Sequence, residues 1–198
     1  MHRRIIAYGH TILRKECKEI NEGSKKIHEV EDDLWETLEK SGGVGLAAPQ
    51  INSSLKAFVV NTRLMYNNLS NNERKEYFAL GDEGIIETFL NAEIIERSEH
   101  TWNEYEACLS IPGVYEPVNR SWIITVEYQN KDLKHKRKKF SGYTAKVIQH
   151  EFDHTKGILI IDYLHPLKKQ MIKNKLKRIL DGRAETTYPI KFTTRRKK

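Results

Sequence analysis

The chain has little cysteine, no long apolar run and no repeated or biased segment, and each absence excludes a class of protein. Its two cysteines, Cys17 and Cys108, stand far apart among 198 residues and cannot supply the disulfide framework of a small secreted domain. No stretch approaches the roughly 18 consecutive apolar residues that span a bilayer. Residues 1–15 carry charge through their one short apolar stretch, so the expectation is a soluble cytosolic protein with no visible signal or transit segment, the alternative being an organellar protein whose transit segment has been removed. Without repeats or a Pro/Ser-rich linker, the length reads as one domain. Wholesale disorder is excluded as well, because 38% of the residues are hydrophobic, enough for one ordinary core, with 31% charged residues to cover it.

The net charge of +7 is unevenly placed. Residues 168–198 hold twelve basic and two acidic side chains, a net +10, which leaves −3 for residues 1–167. A basic C-terminus on a mildly acidic body suits a polyanionic partner such as RNA; its bland alternative is a solvated helix face.

Ile27, Val30, Leu34 and Leu38 recur at helical spacing between Ser24, a candidate cap, and the Gly42-Gly43 stop, which predicts a first helix. Residues 56–61, 87–96 and 122–129 are rich in Val, Ile, Phe and Tyr and predict strands, with a hairpin turn at Gln129-Asn130-Lys131-Asp132. The Asn-rich stretch 67–83 reads as a surface insertion between two strands, and its composition carries no chemistry. A second helix is predicted over 143–156, closed by Gly157, and a third over 167–180, closed near Gly182. In the third, Leu167, Met171, Ile172, Leu176, Ile179 and Leu180 form a stripe expected to pack on the body, with lysines outward. The fold class is α+β, a single domain of mostly antiparallel strands around a central helix, with an N-terminal and a C-terminal helix.

That central helix contains His150-Glu151-Phe152-Asp153-His154, the pattern H-E-x-x-H. Residues four apart share a helix face, so His150 and His154 can each place a nitrogen on one metal ion while Glu151 turns its carboxylate toward water beside it. Tyr143 and Val147 lie on the same face and are expected to border the pocket. The competing reading is a helix with two unrelated histidines. A catalytic metal needs a third protein ligand. The metzincin position for a third His is taken by apolar residues after Gly157, and Glu185, the one downstream glutamate, lies in the basic tail. Cys108 in Glu106-Ala107-Cys108-Leu109-Ser110 is the better candidate, since thiolate suits borderline-soft divalent metals; otherwise it is a small buried hydrophobe. A third segment, Gly42 to Gln50, reads by itself as a helix stop followed by a loop. Its small residues allow close backbone approach, and Gln50 offers an amide donor, but it lacks the Lys-Ser/Thr ending of a phosphate-binding loop.

Taken together, Gly43-Val44-Gly45-Leu46-Ala47-Ala48-Pro49-Gln50, Glu106-Ala107-Cys108-Leu109-Ser110 and His150-Glu151-Phe152-Asp153-His154 resemble, in this order, the three motifs of peptide deformylase. Ala107 departs from the family pattern, which has glycine there. The resemblance spans roughly residues 5–165 and implies removal of the formyl group from formyl-methionine on nascent polypeptides, releasing formate. It implies Cys108, His150 and His154 as ligands of one divalent ion, Fe²⁺ with Ni²⁺, Co²⁺ or Zn²⁺ as substitutes. Glu151 then serves as base and proton donor, the Gln50 amide and the Leu109 N–H stabilise the developing oxyanion, and the Gly45 backbone binds substrate. Val44, Tyr143 and Val147 are placed at the methionine side chain, Asp153 is paired with Arg120, and Glu106 buttresses the cysteine loop. Residues 1–166 are then the catalytic domain and 167–198 a C-terminal helix and basic tail that docks near the ribosomal RNA. Two rival readings stand beside this one: a zincin-type endopeptidase in which Cys108 is dispensable, and a non-enzymatic RNA-binding protein built around the basic tail.

Overall fold

A computed structural model of the chain describes residues 2–21 and 26–193; the candidate cap Ser24 and the basic residues Arg195 to Lys198 lie outside them. Helix α1 (Lys26–Ser41) forms where the periodicity predicts it and buries Ile27, Leu34 and Leu38 against the main sheet. That sheet has five strands in the order β2 (Gly45–Ala47), β3 (Ala57–Asn61), β4 (Ile86–Arg97), β7 (Ile123–Gln129) and β8 (His135–Ser141), every neighbouring pair antiparallel. Its lysine-rich edge β8 discourages pairing with other chains. A separate hairpin joins β5 (Thr101–Ala107) to β6 (Tyr115–Ser121), and β1 (Ile5–Ile6) pairs in parallel with β9 (Ile190–Lys191).

Between β3 and β4 lie two short helices, α2 (Arg63–Asn68), which runs into the start of the stretch read as a surface insertion, and α3 (Asn71–Tyr77) within it. Ser70 caps α3 in a reciprocal box with Glu73. The segment read as a loop after Gly43 is instead the edge strand β2 followed by a 3-10 turn over Ala48–Ile51.

Helix α4 (Gly142–Thr155) packs against the main sheet, and all its residues except Tyr143 are buried. At its C-terminal end Gly157 is left-handed (φ +74°), and a Cβ there would meet the Arg14 backbone within 2.7 Å, so glycine is required. Helix α5 (Pro166–Leu180) follows. Its stripe is narrower than expected. Ile172 and Ile179 are buried and Leu176 packs against the same cluster, but Leu167 and Met171 are 72% and 71% exposed and Leu180 is also exposed. The spacing was right for a helix, but a 15-residue helix lying on a curved body covers only the rows that meet it. Among the described residues no helix is long and apolar enough to cross a membrane.

Candidate active site

Three elements deliver the three motif segments to one point. Strand β2 leads into the 3-10 turn that carries Gln50, β5 ends one residue before Cys108, and α4 supplies His150, Glu151 and His154. One ligand atom each from Cys108, His150 and His154 lies within 4.8 Å of the other two, and Cys108 Sγ is 3.3 Å from His154 Nε2. Two ligands of one tetrahedral ion stand about 3.6 Å apart at ordinary Zn–S and Zn–N lengths. A thiolate with two imidazoles therefore fits a borderline divalent ion in both chemistry and spacing, and three ligands leave room for water or substrate.

A helix buried on every side must satisfy its polar side chains internally. On α4 Thr144 meets Thr62, Lys146 donates to the Tyr105 carbonyl, and Gln149 pairs with Arg97 and Ser121. Two buried atoms on the helix have no partner: Glu151 Oε2 and His154 Nδ1. An unpartnered buried carboxylate oxygen is costly in a structural role and useful in a chemical one. Burial pushes the Glu151 carboxyl up to about 7, despite the opposing pull of His150.

Beneath the ligands lies a buried charge network. His150 Nδ1 donates to Glu106 at 2.8 Å, which leaves its Nε2 for a metal ion. Arg120 clamps Glu106 through two bonds of 2.8 and 3.0 Å and also bonds Asp153, to which the Tyr163 hydroxyl donates at 2.8 Å. The Arg120–Asp153 pair is thus an interior one, and Glu106 orients a histidine, a role that its place in the cysteine segment did not reveal. Burial favours the neutral acid of Glu106, but the bonds from His150 and Arg120 overcome it and hold the carboxyl at about 2. In His150 the burial penalty is outweighed by Cys108 and Glu106, which raise its pKa well above the ordinary value. A proton and a metal ion compete for that nitrogen. His154 is held well below its ordinary value, first by burial and then by the charge on His150.

The ligand group opens onto a cleft of about 830 Å³ lined by Val44, Gly45, Gln50, Leu109, Tyr143 and Val147 among others. Gly45 is there because nothing larger fits, since a Cβ would sit 2.5 Å from Glu151 Oε1. Gln50 is held in one orientation: its Oε1 accepts the Ala47 N–H at 2.8 Å, which turns Nε2 toward Ser110 Oγ (3.2 Å) and Cys108 Sγ (3.9 Å). Ala107 is exposed on the cleft wall, so its methyl group is accommodated. Residues missed from the sequence are Met65, on α2 just before the insertion, and Tyr77, which brings the insertion itself to the cleft wall, edge-on to Trp102 (5.6 Å) and Tyr143 (6.3 Å). The Ser70-Asn71-Asn72-Glu73 capping pattern was a visible signal of structure there.

The sequence model for polypeptide deformylase matches residues 2–170. The chain belongs to the polypeptide deformylase family. It is 36% identical over 193 residues to the peptide deformylase of Flavobacterium psychrophilum, covering 98% of both chains. To that of Cytophaga hutchinsonii it is 38% identical over 188 residues, 95% of this chain and 96% of the relative. The crystal structure of a peptide deformylase from Legionella pneumophila superimposes with a TM-score of 0.75 at 30% identity, covering 93% of this chain and 100% of the other. That from Ehrlichia chaffeensis gives 0.78 at 26% identity, covering 90% and 96%. All three motif segments fall inside the matched residues, and β9 with the segment before it falls outside them.

Proposed function

We propose that the cleft removes the formyl group from formyl-methionine at the N-terminus of nascent polypeptides, using a divalent ion held by Cys108, His150 and His154. Family membership gives the reaction class. The observation that carries it to particular residues is the convergence of a thiol and two imidazoles beside the buried, unpartnered carboxylate of Glu151. Fe²⁺ is the ion we assign, with Ni²⁺, Co²⁺ or Zn²⁺ as substitutes; when bound it supplies Lewis acidity toward the formyl oxygen and acidifies water.

The protein's own groups do the rest. Glu151 takes the proton of the attacking water and returns it to the leaving amine. Negative charge building on the formyl oxygen meets the Gln50 amide, already aimed by the Ala47 N–H, and the Leu109 N–H. The Gly45 backbone, with no side chain between it and Glu151, holds the substrate peptide. Val44, Tyr143 and Val147 receive the methionine side chain, and Glu106 and Arg120 keep His150 in its orientation.

We assign residues 1–166 to the catalytic domain and 167–198 to an appended helix and basic tail. Lys173, Lys175, Lys177 and Arg178 are exposed on α5, which supports contact with ribosomal RNA near emerging chains. The bacterial relatives support action in a bacterial cytoplasm.

The test is formate release from a formyl-Met-Ala-Ser peptide by anaerobically purified, Fe²⁺- or Ni²⁺-loaded protein. One formate per peptide with the Met-Ala and Ala-Ser bonds intact is the expected result. Internal peptide cleavage, or no formate from folded and metal-loaded protein, contradicts the reading and favours one of the two rivals.

A further inference from the structure

After α5 the chain does not leave the body. Gly182 adopts a left-handed conformation (φ +67°), and β9 returns to pair with β1, setting Ile190 beside Ile5 and Lys191 beside Ile6. Ile190 and Phe192 pack against the core cluster that contains Cys108 and Ile111. Just after β1, the Tyr8 N–H donates to the Ser110 carbonyl at 2.8 Å. Both ends of the described chain therefore bear on the turn that follows Cys108.

Between α5 and β9, residues Glu185 to Tyr188 line the cleft. The Tyr188 hydroxyl donates to the Leu109 carbonyl at 2.8 Å, and Thr186 Oγ1 donates to the Tyr188 carbonyl at 2.7 Å, closing the loop that presents the ring. This loop lies beyond residue 170, where the family match ends. The cleft's three motif segments all come from elsewhere, within residues 2–170, so this loop adds a wall that none of them supplies.

We infer that Tyr188 is a positioning residue for the reaction, acting through Leu109, and that the 185–188 loop is a working wall of the substrate cleft. The inference rests on the reading proposed above. The Leu109 N–H and the Leu109 carbonyl belong to adjoining peptide units, joined through the Leu109 Cα. Fixing the carbonyl from outside, while the Ile111 N–H to Cys108 carbonyl bond (2.9 Å) closes the turn from inside, restricts the torsions that aim the N–H. A donor to developing charge helps only if it is already in place when the charge forms. Loss of the hydroxyl is therefore felt in the transition state more than in substrate binding, and it lowers kcat while leaving KM alone.

The experiment compares Tyr188→Phe with the parent in the nickel-loaded enzyme on formyl-Met-Ala-Ser, recording kcat, KM, bound metal and melting temperature. The substitution keeps the ring and removes one neutral hydrogen bond, so kcat is expected to fall about three- to ten-fold with KM unchanged. His10→Ala is the control. It removes the His10 Nε2 bond to the Lys191 carbonyl (3.1 Å), which loosens β9 without touching the Tyr188–Leu109 bond, and should leave kcat within about two-fold. The inference is overturned by a change in kcat below about two-fold in Tyr188→Phe, by a rise in KM alone, by loss of metal or of fold in that variant, or by an equal fall in His10→Ala. An inactive parent overturns the proposed reaction itself, and the inference with it. An active parent with unchanged Tyr188→Phe overturns the inference alone.

Discussion

Glu151→Gln lowers kcat for formyl-Met-Ala-Ser by about 10²- to 10⁴-fold, the range that a positioned general base contributes, while bound metal and melting temperature are retained. The substitution is nearly isosteric, so nothing in the packing of α4 has to move. What disappears is the ability to take a proton at Oε2, the one buried carboxylate oxygen on that helix with no partner. The carboxylate has little freedom to serve from another position, because Gly45 leaves Glu151 Oε1 only the space that a missing Cβ provides. Steady-state formate release measures the effect. A variant within about ten-fold of the parent removes Glu151 from the chemistry and leaves its burial unexplained.

Arg120→Leu is expected to reduce stability by about 3–5 kcal/mol, the penalty for taking away one partner of a buried charge network. Arg120 is the cation between Glu106 and Asp153, all three nearly excluded from solvent, and its guanidinium also lies 4.6 Å over the Tyr163 ring. Removing it leaves two buried carboxylates facing a hydrocarbon side chain. Urea unfolding of the metal-loaded protein reads the change as a lower midpoint at an unchanged slope. A loss below about 1 kcal/mol would mean that the network contributes no more than an exposed pair. Activity should fall further than stability alone accounts for, because Glu106 loses its clamp and His150 its orientation.

The parts of the fold that could be read from sequence are those with a strong period and a stop. Helices α1 and α4 are marked by apolar spacing and by Gly42 and Gly157 at their ends, and β3, β4 and β7 by runs of branched and aromatic residues. Strands β1 and β9 are two residues each, too short to carry a period, and exist only because the two chain ends meet. Strand β8 is nearly all basic and exposed, so its sequence looks like a solvated run and not like a sheet edge. Strand β2 is three small or apolar residues whose pairing with β3 no local signal announces.

The same division applies to the site. His150, His154, Glu151 and Cys108 could be singled out because their residue types and spacing suit a metal centre whatever surrounds them. Arg120 could be paired with Asp153, but its clamp on Glu106, the hold of Glu106 on His150 and the role of Tyr163 depend on a hairpin, a helix and a 3-10 turn being brought together, which spacing along the chain does not encode. Tyr77 and Tyr188 are further examples, since each reaches the cleft from a segment whose composition looked like surface.

The account stands on Cys108 as the third ligand, because the motif helix alone fits several kinds of hydrolase and the thiol separates them. The most direct test is the metal content of the purified chain, parent against Cys108→Ala, after anaerobic loading with Ni²⁺ and removal of free ion. The parent should hold one ion per chain, and Cys108→Ala should hold close to none while keeping the circular dichroism of a folded protein. A full equivalent of metal in Cys108→Ala would contradict the assigned centre and return the endopeptidase-like reading to the front.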